Sequence, residues 1–145
     1  MREIKYRAKR KDNNEWIEGY LFETEEVDVV HTYIGYIRQT DDDLFYGSAN
    51  IFIEVDKNTV CQYIGLLDRN GREIYEGDIL KWINDSWHGY YECVWIEEEC
   101  CFTFNSIRYR NDYENPIDCC DDDENICMNV IGNKFDNPEL LIKEE

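Results

Sequence analysis

In the stretch Gln62–Leu80, two apolar runs flank Asn70-Gly71, and this pattern leaves room for little but a β-hairpin. Asn-Gly suits the two central positions of a type I′ turn, because both need φ > 0 and the twist of that turn matches the strands it joins. A strand over Val60–Leu66 leads into this hairpin. A second local signal follows it. Gly77-Asp78 precedes Ile79-Leu80-Lys81-Trp82, so that Gly permits a bend into a strand and the carboxylate can accept backbone N–H groups. None of these residues forms a nucleophile beside a base, a metal cage or a phosphate loop.

The rest of the chain also reads as strands. Ile4, Tyr6 and Ala8 alternate with Glu3, Lys5 and Arg7, which predicts a half-buried strand with one apolar and one charged face. The polar run Lys9–Asn14 turns the chain into a strand over Glu15–Phe22, with Trp16 expected as a core anchor. Glu23–Asp28 reads as a loop or a weak strand end, and Val29–Ile37 as a strand. Asp41–Asn50 is expected to be a loop before Ile51–Val55, where Ile51, Ile53 and Val55 share a face. Asn84–Gly89 is rich in turn residues. Tyr91–Ile96 and Cys100–Phe104 are expected to pair across the acidic turn Glu97-Glu98-Glu99. Asn105–Glu124 is expected to be a long loop with a short strand around Ile107-Arg108-Tyr109, and Ile126–Ile131 a closing strand. Asn137 is placed to cap a short helix over Pro138–Lys143, with Pro138 at its first position and Glu139 near the positive end of its dipole.

Three pieces of the chain, in order, resemble the YopX family of phage and prophage proteins. The centre is Gln62, Tyr63, Ile64, Gly65 and Leu66, then Asp68–Gly71, then Glu73–Ile79 with Tyr75, Gly77 and Asp78. The opening Arg2–Ala8 with Trp16–Gly19 is similar to that family's first hairpin. The ending Val130–Leu141, with Gly132, Asn133, Asn137 and Pro138, is similar to its C-terminal motif. The resemblance implies a phage- or prophage-type accessory protein. It brings no catalytic residues, no cofactor and no metal ligands. Gln62, Tyr63, Gly65, Asn70, Gly71, Tyr75, Gly77, Asp78, Gly132, Asn133, Asn137 and Pro138 form a structural signature.

Composition bounds the function. With 33 acidic residues against 15 basic ones the net charge is −18, so a nucleic-acid backbone is an unfavourable direct partner. The charge is uneven: Arg2, Lys5, Arg7, Lys9, Arg10 and Lys11 crowd the start, whereas Asp112, Glu114, Asp118, Asp121, Asp122, Asp123 and Glu124 lie in a stretch without Lys or Arg. Two readings stand beside each other: a basic hairpin with a solvated acidic loop, or two ends that attract one another within the chain or between subunits. No apolar run approaches the ~20 residues a membrane helix needs, and the N-terminus lacks a signal-peptide pattern. The expectation is a protein of the bacterial host cytosol.

The 7 cysteines are then expected to be thiols. Cys61, Cys93 and Cys127 sit in apolar strand patterns, and Cys100-Cys101 and Cys119-Cys120 are adjacent pairs rather than metal-binding knuckles. His31 and His88 read as surface or packing residues. Asp41-Asp42-Asp43 and Asp121–Glu124 lack the glycine and distant glutamate of a calcium loop.

These readings converge on a mainly β protein, α+β at most. It forms one domain over 1–145, with an N-terminal strand layer over 1–60, a barrel-type half resembling SH3-like barrels over 61–145, and a short C-terminal helix. With 11 Tyr, 6 Phe and 4 Trp beside the charge asymmetry, a homo-oligomer is expected. The functional expectation is a non-catalytic protein that binds a macromolecule, either itself or a basic host protein. Two alternatives are a small enzyme working through Asp and Glu, and an acidic DNA mimic that inhibits a nucleic-acid-binding host protein.

Overall fold

The computed structural model describes residues 3–40, 47–82, 89–108, 113–122 and 126–142. Eleven strands make up most of it: β1 Tyr6–Lys9, β2 Trp16–Glu26, β3 Val29–Thr40, β4 Gly47–Glu54, β5 Cys61–Leu67, β6 Glu73–Tyr75, β7 Asp78–Trp82, β8 Tyr90–Ile96, β9 Cys101–Ser106, β10 Tyr113–Glu114 and β11 Met128–Asn133. The helical segments among the described residues are single 3-10 turns at Lys57–Thr59, Pro116–Cys119 and Pro138–Leu141. The protein is mainly β, as the scarcity of helix-forming runs requires. Its chain divides into two compact units, Met1–Gln62 and Tyr63–Glu145.

The first unit is an antiparallel sheet in the order β4-β3-β2-β1, to which Cys61 and Gln62 add by pairing with Arg7 and Tyr6. Its buried centre is Ala8, Ile34 and Val55, with Tyr6, Ile17, Leu21 and Val60 packed against them. Strand β2 runs on through Glu26, because Glu23–Glu26 pair residue by residue with Val29–Thr32. Of the two readings of Glu23–Asp28, a loop or a weak strand end, Glu23–Glu26 follow the second, and the loop is only Val27 and Asp28, with φ of 46° and 64°. Two consecutive positive φ values are what a type I′ turn requires, and here they occur without glycine. Three further expectations are corrected in this unit. Arg7 is buried, its guanidinium carbon 4.8 Å from the centre of the Trp16 ring, so the charged face of β1 is covered at Arg7. Trp16 is correspondingly a partly buried lid on Arg7, not a core anchor. Gly47–Asn50, expected in a loop, belong to β4, while 41–46 lie outside the described residues.

The second unit holds an antiparallel sheet in the order β10-β9-β8-β7-β11. Ile64, Ile74, Leu80, Tyr91, Cys93, Phe104, Ile126, Met128 and Val130 form its core, and each fully buried apolar side chain contributes about 1.5–3 kcal/mol. Residues after β5 reach the β11 side through the parallel bridge Asp68↔Ile126 and the bond from Arg69 N–H to Met128 O at 3.2 Å. The β8–β9 hairpin crosses Glu97-Glu98-Glu99 as expected, but Cys100 (φ 51°) belongs to the turn. Cys127 is likewise half-buried just before β11 rather than within it. The short strand expected around Ile107-Arg108-Tyr109 falls instead at Tyr113–Glu114; Ile107 and Arg108 form a bend and Tyr109 lies outside the described residues.

The central hairpin is present, with a different turn. Gly71 has φ of 78°, whereas Asn70 is not at positive φ. Gly71 N–H donates to Asp68 O at 2.9 Å and Asp68 N–H to Arg72 O at 2.7 Å. This is a three-residue connection, a type I turn closed by glycine in the left-handed region, in place of the type I′ turn. The cause is Asp68. Its Oδ1 accepts the N–H groups of Asn70 at 2.8 Å and Arg72 at 2.9 Å, which holds the turn open by one residue.

Candidate functional site

The signature residues build backbone corners. Asp78 is fully buried, and its Oδ2 accepts the N–H of Tyr75 at 2.8 Å across the bend at Gly77 (φ 80°). A side chain at Gly77 would press on the Lys134 methylenes, the nearest at 3.1 Å. Gly77 also donates to Cys93 O at 2.7 Å and accepts from Lys134 N–H at 2.9 Å, which docks the bend against the end of β11. Asn133, opposite Asp78 in the ladder, accepts from Phe135 and Asp136 N–H at 3.0 Å each and donates from Nδ2 to Asp136 Oδ2 at 3.0 Å. Gly132 sits at the β-bulge of β11, and a Cβ there would lie 2.8 Å from Asn137 Cγ. Asn137 makes no side-chain cap on the 3-10 turn that follows, contrary to expectation. Its Oδ1 instead takes the N–H of Asn133 at 3.4 Å, and Pro138 opens the turn. Tyr63 and Tyr75 face each other on β5 and β6, with ring centres 5.6 Å apart, and Gly65 (φ 90°) lies at the irregularity between them and Leu67. Gln62 pairs with Tyr6 in the first unit.

The buried carboxylates Asp68 and Asp78 therefore serve backbone N–H groups. A carboxylate enzyme needs acids that face a substrate, and these two face the chain itself. Among the described residues, no group of three or more His, Cys, Asp or Glu side chains is placed to hold a metal ion. None of the 7 cysteines is joined in a disulfide. His31 bonds through Nδ1 to Glu54 Oε1 at 2.9 Å, and Lys11 reaches the same oxygen at 2.8 Å; these two partners hold the Glu54 carboxyl below its usual range, Lys11 contributing most. Glu92 moves the other way, raised chiefly by its burial. His88, Asp41-Asp42-Asp43, Asp123 and Glu124 lie outside the described residues. No helix among the described residues is long and apolar enough to cross a membrane.

What the first unit presents to solvent is aromatic. Register puts Tyr20, Gly35 and Phe52 in one row across β2, β3 and β4, and Phe22, Tyr33 and Glu54 in the next row. Residues directly opposite share a face, and so do residues two apart along a strand. The intervening row, Leu21, Ile34 and Ile53, points to the core side. Tyr20 is 63% exposed, Phe22 48%, Phe52 56% and Ile37, on the same face, 64%. The Phe22 ring centre lies 5.6 Å from Phe52 and 6.3 Å from Tyr33. Gly35 lets the Phe52 ring lie across the middle strand, since a Cβ there would sit 2.9 Å from Phe52 Cε1. Along β2 the same face continues through Glu18 to Trp16, whose ring carries Arg7 at 4.8 Å and Lys9 at 5.4 Å. This face was missed in the sequence, although Tyr20-Leu21-Phe22 and Ile51-Phe52-Ile53, apolar at consecutive positions, are its signal: such runs are apolar on both faces of a strand.

Fold and surface together define a mainly antiparallel β protein whose buried polar groups fix backbone corners and whose outward feature is an aromatic sheet face. The chain belongs to the YopX family, described as YopX protein, which matches residues 5–142. Among solved structures it is similar to the crystal structure of protein EF1440 from Enterococcus faecalis, at 21% identity and a TM-score of 0.59, over 98% of this chain and 100% of that one. That likeness is one of fold. No curated protein matches the chain.

Proposed function

We propose that this chain is a non-catalytic binding protein, an accessory protein of phage or prophage type acting in the bacterial cytosol, that uses the aromatic face of its first unit to hold a basic polypeptide. The observation that carries the reading is the contiguous exposure of Tyr20, Phe22 and Phe52 on one side of the sheet. Large aromatics gathered on a solvent-facing surface mark interaction sites, whereas single exposed apolar residues do not. The net charge of −18 supports a cationic partner, which it draws in over long range. Aromatic ring faces also accept guanidinium and ammonium groups, as Trp16 already does for Arg7 and Lys9.

Fluorescence anisotropy with a labelled arginine-rich peptide, a lysine-rich peptide and an acidic control tests this. The basic peptides are expected to bind, and Tyr20→Ser with Phe22→Ser to weaken them about tenfold or more, the effect of losing central aromatic contacts. Equal binding by wild type and variant would reject the face as the site. A loss on Asp121→Asn with Asp122→Asn instead would favour the acidic, DNA-mimicking reading.

A further inference from the structure

The outer edge of the first unit's sheet is strand β4, paired on one side with β3. One hydrogen bond shows which of its backbone groups face away. Val55 N–H donates to Thr32 O at 2.9 Å, and these residues continue the register Tyr33↔Glu54. In an antiparallel ladder, hydrogen-bonded and non-hydrogen-bonded pairs alternate. Ile53, Ile51 and Ala49 therefore turn their N–H and C=O groups to β3, and Glu54, Phe52, Asn50 and Ser48 turn theirs outward. The outward C=O of Glu54 agrees with this, since it accepts from Lys11 N–H at 3.1 Å. Beyond that bond, among the described residues, the outward backbone groups of Phe52, Asn50 and Ser48 meet no partner.

Soluble proteins guard such edges with lysine, proline, a bulge or a very short strand. Arg10 and Lys11 cover the end of β4 through the bridge Arg10↔Val55 and the Lys11–Glu54 bond, but the run Gly47–Ile53 has none of these. The strand extends for 8 residues, Gly-Ser-Ala-Asn-Ile-Phe-Ile-Glu, and its register with β3 is unbroken from Thr40↔Gly47 to Tyr33↔Glu54. Its one charge, Glu54, is paired with Lys11 at 2.8 Å and hydrogen-bonded to His31 at 2.9 Å.

We infer that β4 pairs antiparallel with β4 of a second copy of this chain. Antiparallel pairing of one edge with itself is two-fold symmetric, so the same three outward residues both donate and accept on each side. Charge selects the copy and the place. Two chains of net charge −18 repel over most of their surfaces, but the run Gly47–Ile53 is uncharged, and joining it to itself brings no carboxylates face to face. Registers that set even-numbered β4 residues opposite even-numbered ones keep both aromatic faces on one side, with Phe52 of each copy next to the seam. The doubled aromatic surface rests on the function proposed above, whereas the pairing itself does not.

Light scattering coupled to size exclusion, at tens of micromolar and moderate salt, tests the pairing. Wild type is expected at twice the chain mass. Asn50→Pro removes an outward N–H and leaves the β3 ladder intact, so it should give a monomer with an unchanged far-UV spectrum. If that variant does not fold, Asn50→Lys places a cation on the edge and should likewise give the monomer. Ile142→Lys, an exposed position in the second unit, should leave the dimer as it is. A wild-type monomer throughout, or a dimer indifferent to the folded Asn50 variants, overturns the inference. Neither result alters the peptide-binding test, which reads Tyr20 and Phe22.

Discussion

Asp68 Oδ2 accepts the backbone N–H of Val130 at 3.0 Å, tying the central hairpin to β11 across 62 residues of sequence. The same carboxylate is 1% exposed and takes the N–H groups of Asn70 and Arg72 on its other oxygen. Removing it strands three N–H donors at once. The buried Val130 donor left unsatisfied costs about 1–3 kcal/mol, and the part-exposed Asn70 and Arg72 donors less because water can reach them, so Asp68→Ala should destabilise by about 2 kcal/mol or more. Asp68→Asn keeps the shape but sets an NH2 group against one donor, and should cost about 1–3 kcal/mol. Urea unfolding with an unchanged slope measures both. An Asp68→Ala protein as stable as wild type would show that the knot does not hold the unit together.

Gly71 isolates a backbone effect from a packing effect. Its φ is 78°, and a Cβ built there meets nothing within 4 Å. Gly71→Val therefore loses no space and pays only for a β-branched residue in the left-handed region, about 1–3 kcal/mol. Gly71→Asn should cost clearly less, because Asn tolerates that region. Thermal melts of the two variants side by side decide it; equal melting temperatures for Gly71→Val and wild type would refute the turn geometry.

The hairpin was legible because Asn70-Gly71 can hardly sit inside a strand, but its turn type was not. The bond that selects the turn partner comes from a carboxylate whose other oxygen is spent on Val130, a contact that no local window contains. Arg7 failed for a similar reason. Period-2 alternation puts it on a solvated face, and only the β1–β2 register brings Trp16 over it. Glu23–Glu26 read as a loop or a weak strand end because acids are poor strand formers, and a partner strand that satisfies their backbone decides for the strand. Gly77-Asp78 read correctly, since a glycine bend and a carboxylate three residues from the amide it accepts are local. The aromatic face needed the β2–β3–β4 register to show which of two apolar sides was already occupied by the core.

Val27 and Asp28 hold the two-residue turn between β2 and β3 with φ of 46° and 64°. Val27 is 94% exposed, so its side chain returns nothing for the strain of a β-branched residue in that region. Replacing the pair with Asn-Gly, the residues this turn prefers, should stabilise the protein by about 1 kcal/mol or more. Denaturant unfolding is the measurement. A destabilised Val27→Asn, Asp28→Gly protein would mean that Val27 makes a contact worth more than the strain.

The cysteines should separate by burial rather than by chemistry of their own. Cys119 is 2% exposed, and burial, reinforced by the nearby Glu114, pushes its thiol up to about 12. Since the thiolate is the reacting species, even at about pH 9, where ordinary thiols are largely ionised, Cys119 stays protonated and out of reach. Cys100, exposed in the turn after Glu97-Glu98-Glu99, should react first with iodoacetamide. Cys61 and Cys93 are buried too and should follow Cys119, all three reacting only as the protein unfolds. Mass spectrometry of timed labelling resolves the order site by site. Modification of Cys119 in the folded protein as fast as Cys100 would place that thiol at the surface and break the assignment of the second unit's core.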